Sequence, residues 1–135
     1  MSIVGIDFGA RRIGLAVSES GVLATPHSVI RNEGDVIDKI ARVGGELEAD
    51  LYVVGIARRA SPGAGEERFR NFADALRQRT CKAVVLWDEA LSTVEASEQL
   101  RAAGRSRRDA EREIDMHAAA VILQSYLDAQ ARRTS

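Results

Sequence analysis

The chain has 135 residues, 45% apolar and 29% charged, a single-domain length with enough apolar material for a core, which excludes disorder over the whole chain. Aromatic residues make up only 4%, so the core is expected to be built from Val, Ile, Leu and Ala. A net charge of −1 argues against strong non-specific duplex binding, no apolar run approaches the ~18–20 residues of a membrane helix, and the lone Cys81 excludes an internal disulfide or a zinc site of two thiolates.

Residues 2–7 read as a buried strand, Ile3-Val4-Gly5-Ile6, ending in Asp7. No basic segment followed by an apolar stretch opens the chain, so a cytoplasmic protein is expected. Residues 9–12 form a turn and residues 13–18 a second strand, and the short link makes the pair an antiparallel hairpin. Residues 22–30 read as a third extended segment interrupted at Pro26. Val36, Ile37, Ile40 and Val43 follow helical spacing, which predicts a helix over residues 35–47. A short buried strand follows at 51–55, then a turn-rich loop at 58–65 with Pro62-Gly63 at its centre. Phe69, Phe72, Ala73 and Leu76 mark another helix, residues 83–87 a fifth strand, and further helices are expected from about Thr93 and over residues 115–129. Cys81 reads as a partly buried small hydrophobe.

Three strands thus come first, and helices then alternate with strands. Consecutive β-α-β units predict parallel neighbours in one five-stranded mixed α/β sheet, with helices on both faces and an antiparallel side made by the first three strands. The whole chain, 1–135, is expected to be one domain. Sites in such sheets lie beyond the carboxyl ends of the strands.

Three positions put acids there. Asp7 ends a strand read as central; it is either a turn residue capping the Phe8-Gly9 bend or a functional carboxylate. Asp88 and Glu89 follow the strand Val84-Val85-Leu86-Trp87, and alternation lets only one of them face the site. Ser92-Thr93-Val94-Glu95 matches a helix capping box, so Ser92 and Glu95 are assigned a structural role. Ala118, Ala119, Ile122, Leu123 and Tyr126 lie 3, 4, 7, 8 and 11 residues after Asp115, the same-face offsets of a helix. Asp115 therefore points toward the sheet, either as the N-cap of the last helix or as a metal ligand. His117 is offset by two and falls off that face. Converging carboxylates would repel one another; hard divalent cations, Mg²⁺ or Mn²⁺, resolve this and suit oxygen ligands. Two such ions stabilise the attacking and leaving oxygens of phosphodiester hydrolysis.

The cations are 17 arginines and only 2 lysines. A GC-rich genome produces that bias, and so does a need for planar phosphate contacts. Arg11-Arg12, Arg58-Arg59, Arg68 and Arg70 cluster, as do Arg101, Arg105, Arg107, Arg108 and Arg112. Arg11, Arg12, Arg58 and Arg59 are the candidate substrate contacts.

Residues 5–18, GIDFGARRIGLAVS, resemble the opening motif of the YqgF/RuvX family; residues 88–96, DEALSTVEA, resemble its second motif and residues 114–124, IDMHAAAVILQ, its third. They occur in family order and span essentially the whole chain. The resemblance implies a ribonuclease H-like fold, similarity to Holliday-junction resolvases, and a nuclease that matures the 5′ end of pre-16S ribosomal RNA. It also implies metal-binding catalytic acids at Asp7, Glu89 and Asp115, with Asp88 as their neighbour. The chain departs from the family at Ala90, where the family usually has Arg, and at Gly55-Ile56-Ala57 in place of Gly-Leu-Pro. Arg58 or Arg59 would replace the lost phosphate contact.

The resemblance implies pre-rRNA ahead of junction DNA as the partner. Three alternatives remain open on the residues alone. A junction resolvase needs two active sites and hence a homodimer. The Asp7–Gly14 turn also resembles the phosphate-binding turn of actin-like ATPases and sugar kinases, which need two such lobes where this length supplies one. A non-catalytic RNA-binding accessory of ribosome maturation or transcription would bind RNA without regard to metal.

Overall fold

The computed structural model describes residues 1–56, 66–88 and 107–134. In chain order the elements are β1 (Ser2–Phe8), β2 (Arg12–Ser18), β3 (Thr25–Arg31), α1 (Val36–Glu46), β4 (Ala49–Ile56), α2 (Glu66–Thr80), β5 (Ala83–Asp88) and α3 (Arg107–Thr134). Among the described residues the strands form one five-stranded sheet in the order β3-β2-β1-β4-β5. β1 pairs antiparallel with β2 and parallel with β4, β2 pairs antiparallel with β3, and β4 pairs parallel with β5. The mixed sheet and its antiparallel side are therefore as expected.

Strand alternation sorts the core into two layers. Val4, Ile6, Ile13, Leu15, Tyr52, Val54 and Val84 pack against Val36 and Ile40 of α1 and Phe69, Phe72, Ala73 and Leu76 of α2. Ile3, Ala16 and Val53 face the other way, onto Ala119, Ala120, Ile122, Leu123 and Leu127 of α3. Helices cover both faces, and every strand from β1 to β5 runs its site-side end to the same edge of the sheet. The α3 layer is thin because both surfaces are small. A Cβ on Gly5 would stand 2.7 Å from the Cβ of Leu123 and 3.0 Å from the carbonyl oxygen of Ala119, so only glycine lets α3 sit this close to the central strand.

Several expectations shift. The third strand begins at Thr25 rather than 22, and Val22 and Leu23 are exposed ahead of it. Pro26 lies within β3, on the edge of the sheet, where a missing N–H is tolerated; the β2–β3 register slips between Leu15 and Ala16, opposite it. The last helix spans Arg107–Thr134 and not only residues 115–129. Its first two turns are a charged run, Arg107-Arg108-Asp109-Ala110-Glu111-Arg112-Glu113, with no apolar stripe to betray a helix. Asp115 is therefore interior to α3, and the N-cap reading of it is wrong. Cys81 is exposed rather than partly buried. It ends α2 with φ 59° and donates its N–H to the carbonyl of Arg77 at 2.8 Å, a left-handed helix stop. The expected loop at 58–65 and the helix from about Thr93 lie outside the described residues.

Candidate active site

Asp7 is the next-to-last residue of β1, half-buried, with Gly14 of β2 opposite it on one side and Gly55 of β4 on the other. Ile3 faces α3 whereas Val4 and Ile6 face α1 and α2. Parity therefore turns Asp7 to the α3 face.

α3 brings the second acid to the same spot. A Cβ on Gly14 would run into the backbone carbonyl of Asp115, so the helix rests on the bare backbone of the residue that pairs with Asp7. The Asp115 carboxylate accepts a hydrogen bond from Nε of Arg12 at 2.7 Å; its side chain is 19% exposed and that of Arg12 37%. Arg12 opens β2 two residues before Gly14, on the same face. A carboxylate turned inward needs such a partner, and a guanidinium supplies both charge and direction.

The turn that carries Arg12 is strapped in place. Gly9 N–H donates to the Arg12 carbonyl at 3.1 Å, Asn32 N–H to the Arg11 carbonyl at 2.8 Å, and the Asn32 side-chain amide to the Gly9 carbonyl at 2.8 Å. Asn32 follows β3, 20 or more positions away in the chain, so no local pattern announces its role. On the other face of the sheet Phe8 stacks on Phe72 at 4.2 Å, and the Arg68 guanidinium lies 4.9 Å from the Phe8 ring centroid. This sets a further cation at the rim.

β5 approaches the same edge. Trp87 donates from Nε1 to the Ser125 hydroxyl at 3.1 Å and meets the Tyr126 ring edge-on at 5.4 Å, which ties the end of this strand to α3. Asp88 closes β5 with its backbone in register with Ile56. Of the other expected site residues, Arg11 is exposed on the Gly9–Arg12 turn and His117 is exposed on α3. Glu89, Arg58, Arg59, Ser92, Glu95 and Ala90 lie outside the described residues. Asp7 and Asp115 together offer the hard oxygen donors that Mg²⁺ or Mn²⁺ takes. Among the described residues no group of three or more His, Cys, Asp or Glu stands together to hold a metal ion, so a complete site would draw its third carboxylate from beyond them.

The model of the RuvX family, described as a Holliday junction resolvase, matches residues 1–129. A relative from Anaeromyxobacter dehalogenans, named "Putative pre-16S rRNA nuclease", is 39% identical over 137 residues, covering 97% of this chain and 99% of that one. A relative of the same name from Halothermothrix orenii is 37% identical over 135 residues, covering 96% of each. Among solved structures the chain is similar to RuvC of Thermus thermophilus, with a TM-score of 0.59 at 14% identity over 98% of this chain and 97% of that one. It is also similar to the fowlpox virus resolvase solved with Holliday junction DNA, with a TM-score of 0.57 at 11% identity over 96% and 99%. At these identities the likeness is one of fold, and the fold is the ribonuclease H-like one that the three motifs imply.

Proposed function

The chain belongs to the RuvX family, and on that premise we propose that it is a nuclease hydrolysing phosphodiester bonds in the 5′-end processing of pre-16S ribosomal RNA. The observation that carries the reading is the convergence of Asp7 and Asp115 across Gly14, at the carboxyl end of the central strands, with Arg12 paired to Asp115. Residues 1–135 form one nuclease domain in this reading.

Asp7, Glu89 and Asp115 are the proposed catalytic carboxylates and the proposed ligands of Mg²⁺ or Mn²⁺. Glu89 is proposed in that role on the resemblance of residues 88–96 to the family's second motif, with Asp88 as its supporting neighbour. When bound, divalent metal supplies positive charge against the attacking and leaving oxygens of the phosphodiester. The chain's own groups do the rest. Arg12 fixes the direction of the Asp115 carboxylate and offsets its charge. Gly14 keeps α3 low enough for Asp115 to reach the sheet. Arg11, Arg58 and Arg59 are proposed to hold the phosphates of the strand. A family-level preference favours structured RNA, and such a substrate goes with a cytoplasmic setting; among the described residues no helix is long and apolar enough to cross a membrane.

A metal titration tests this. Cleavage should require Mn²⁺ or Mg²⁺, stop with chelator, and be lost on Asp7→Asn and on Asp115→Asn. Full activity without those carboxylates contradicts it. The second reading, resolution of four-way DNA junctions, is favoured by the description of the family model. It requires paired active sites and therefore a homodimer, so a strictly monomeric protein that still cleaves RNA excludes it.

A further inference from the structure

Beside the two carboxylates the sheet carries an open cleft of about 650 Å³, walled by residues 10–12 of the β1–β2 turn and residues 29–33 at the end of β3. Its position follows from register. Arg31 is the direct cross-strand partner of Arg12, so the two side chains leave the same face of the sheet. That is the α3 face, where Asp115 meets Arg12. Ile30, of the opposite parity, packs into the α1–α2 layer. Arg31 is thus one strand farther from Asp7 than Arg12 is, roughly 5 Å at the spacing of paired strands.

The cations of this cleft are differently engaged. Arg12 is held by Asp115. Arg31 has only Glu33, 3.9 Å away, with the two side chains 72% and 68% exposed, a separation and exposure at which an ion pair holds little. Arg11 is exposed and has no side-chain partner among the described residues. The frame beneath them is rigid, because Asn32 binds the turn at Gly9 and Arg11. Two weakly engaged guanidinium groups on a fixed frame, next to an acid pair and beside the apolar Val29, match a sugar–phosphate backbone better than a small solute.

We propose that this cleft seats the stretch of substrate strand flanking the scissile bond, with Arg31 and Arg11 as its phosphate contacts and Glu33 as the carboxylate that the phosphate displaces from Arg31. The inference rests on the nuclease reading and adds to it the path of the strand, which runs over the β3 edge of the sheet. Glu33 then has a sign opposite to that of Arg31: it competes with substrate.

The test is binding in the presence of chelator, with a labelled 5′-extended ribosomal RNA fragment and a labelled four-way DNA junction as probes, between about 50 and 200 mM salt. Wild type is compared with Arg31→Ala, Glu33→Gln and, as a charge control, Arg42→Ala on α1 across the sheet. All three side chains are exposed, so each variant is expected to keep the fold, with melting curves as the check. Arg31→Ala is expected to weaken binding about fivefold or more and to lower the slope of log K against log salt by about 0.7–0.9, one phosphate contact. Glu33→Gln is expected to tighten binding, and Arg42→Ala to change neither quantity. A larger effect on the RNA than on the junction assigns the cleft to the RNA; the reverse assigns it to DNA. An unchanged slope and affinity for Arg31→Ala overturns the inference, even if the protein cleaves RNA with metal. Arg31-dependent binding with no cleavage in either metal instead overturns the nuclease reading and leaves the cleft in place.

Discussion

Asp115 is paired with Arg12, and this pairing sets what each side chain is free to do. An inward carboxylate on α3 is tolerated because a guanidinium two residues along β2 from Gly14 reaches it at 2.7 Å. Removing either carboxylate while keeping its shape should cost chemistry and little else. Asp7→Asn and Asp115→Asn are each expected to lower kcat about a hundredfold or more, the scale of losing several kcal/mol of charge stabilisation in the transition state, with near-native melting. Arg12→Ala is expected to destabilise by about 1 kcal/mol, since the pair is part exposed and its strength discounted accordingly, and to reduce activity through a misdirected Asp115. Gly14→Ala is the sharper probe. Its Cβ would collide with the Asp115 backbone, and relief by shifting α3 should cost about 1–3 kcal/mol, with activity lost alongside. Native-like stability with full activity for Gly14→Ala would show that α3 does not rest where the account puts it. The facing of Asp115 was legible from sequence, because offsets of 3, 4, 7 and 8 to buried Ala118, Ala119, Ile122 and Leu123 admit one orientation. Its partner was not, because Arg12 is 103 positions away and no periodicity reports such a contact.

The elements show the same division between local and long-range information. β1, β2, β4 and β5 are continuous apolar runs, and α1 and α2 carry clean apolar stripes, so their order and the sheet they make could be read directly. The start of α3 could not, because the run from Arg107 to Glu113 is charged at every position but Ala110 and a helix there has no apolar face to display. The edge position of β3 explains how it tolerates Pro26, but the slip opposite it is a property of the pair and not of either strand. A charged tether also joins α1 to α2, beside the apolar layer that they share. Asp38 accepts from Nε and Nη2 of Arg79, at 3.2 and 2.7 Å, and from Arg42 at 3.3 Å. The Arg79 hydrogen bonds hold its carboxyl below the usual carboxylate range, with Arg42 adding to them. A carboxyl that titrates lower in the folded chain than in the unfolded one stabilises the fold above the unfolded value, about pH 4, and the benefit fades as pH falls through the lowered folded value. Asp38→Asn should therefore melt below wild type at pH 7, and the two curves should converge in acid. A gap that persists unchanged at pH 3 would mean that the tether acts by packing and not by charge.

On the scale of the whole molecule, a net charge of −1 conceals a sheet with one chemically distinct edge. The carboxyl ends of β1, β3, β4 and β5 and the amino end of β2 meet there, carrying Asp7, Arg12, Arg31, Asp88 and, from α3, Asp115. Topology assembles these residues from five elements, which is why no single sequence motif displays them together. The arrangement suits a phosphodiester held by arginines over paired carboxylates, on RNA or on a DNA junction. The most direct measurement runs cleavage of a 5′-extended ribosomal RNA fragment and of a four-way DNA junction in parallel, each with Mn²⁺, with Mg²⁺ and with chelator, for wild type and Asp7→Asn. The account predicts metal-dependent cleavage of the RNA by wild type, abolished by chelator and by the substitution. Identical traces for the two proteins would contradict it.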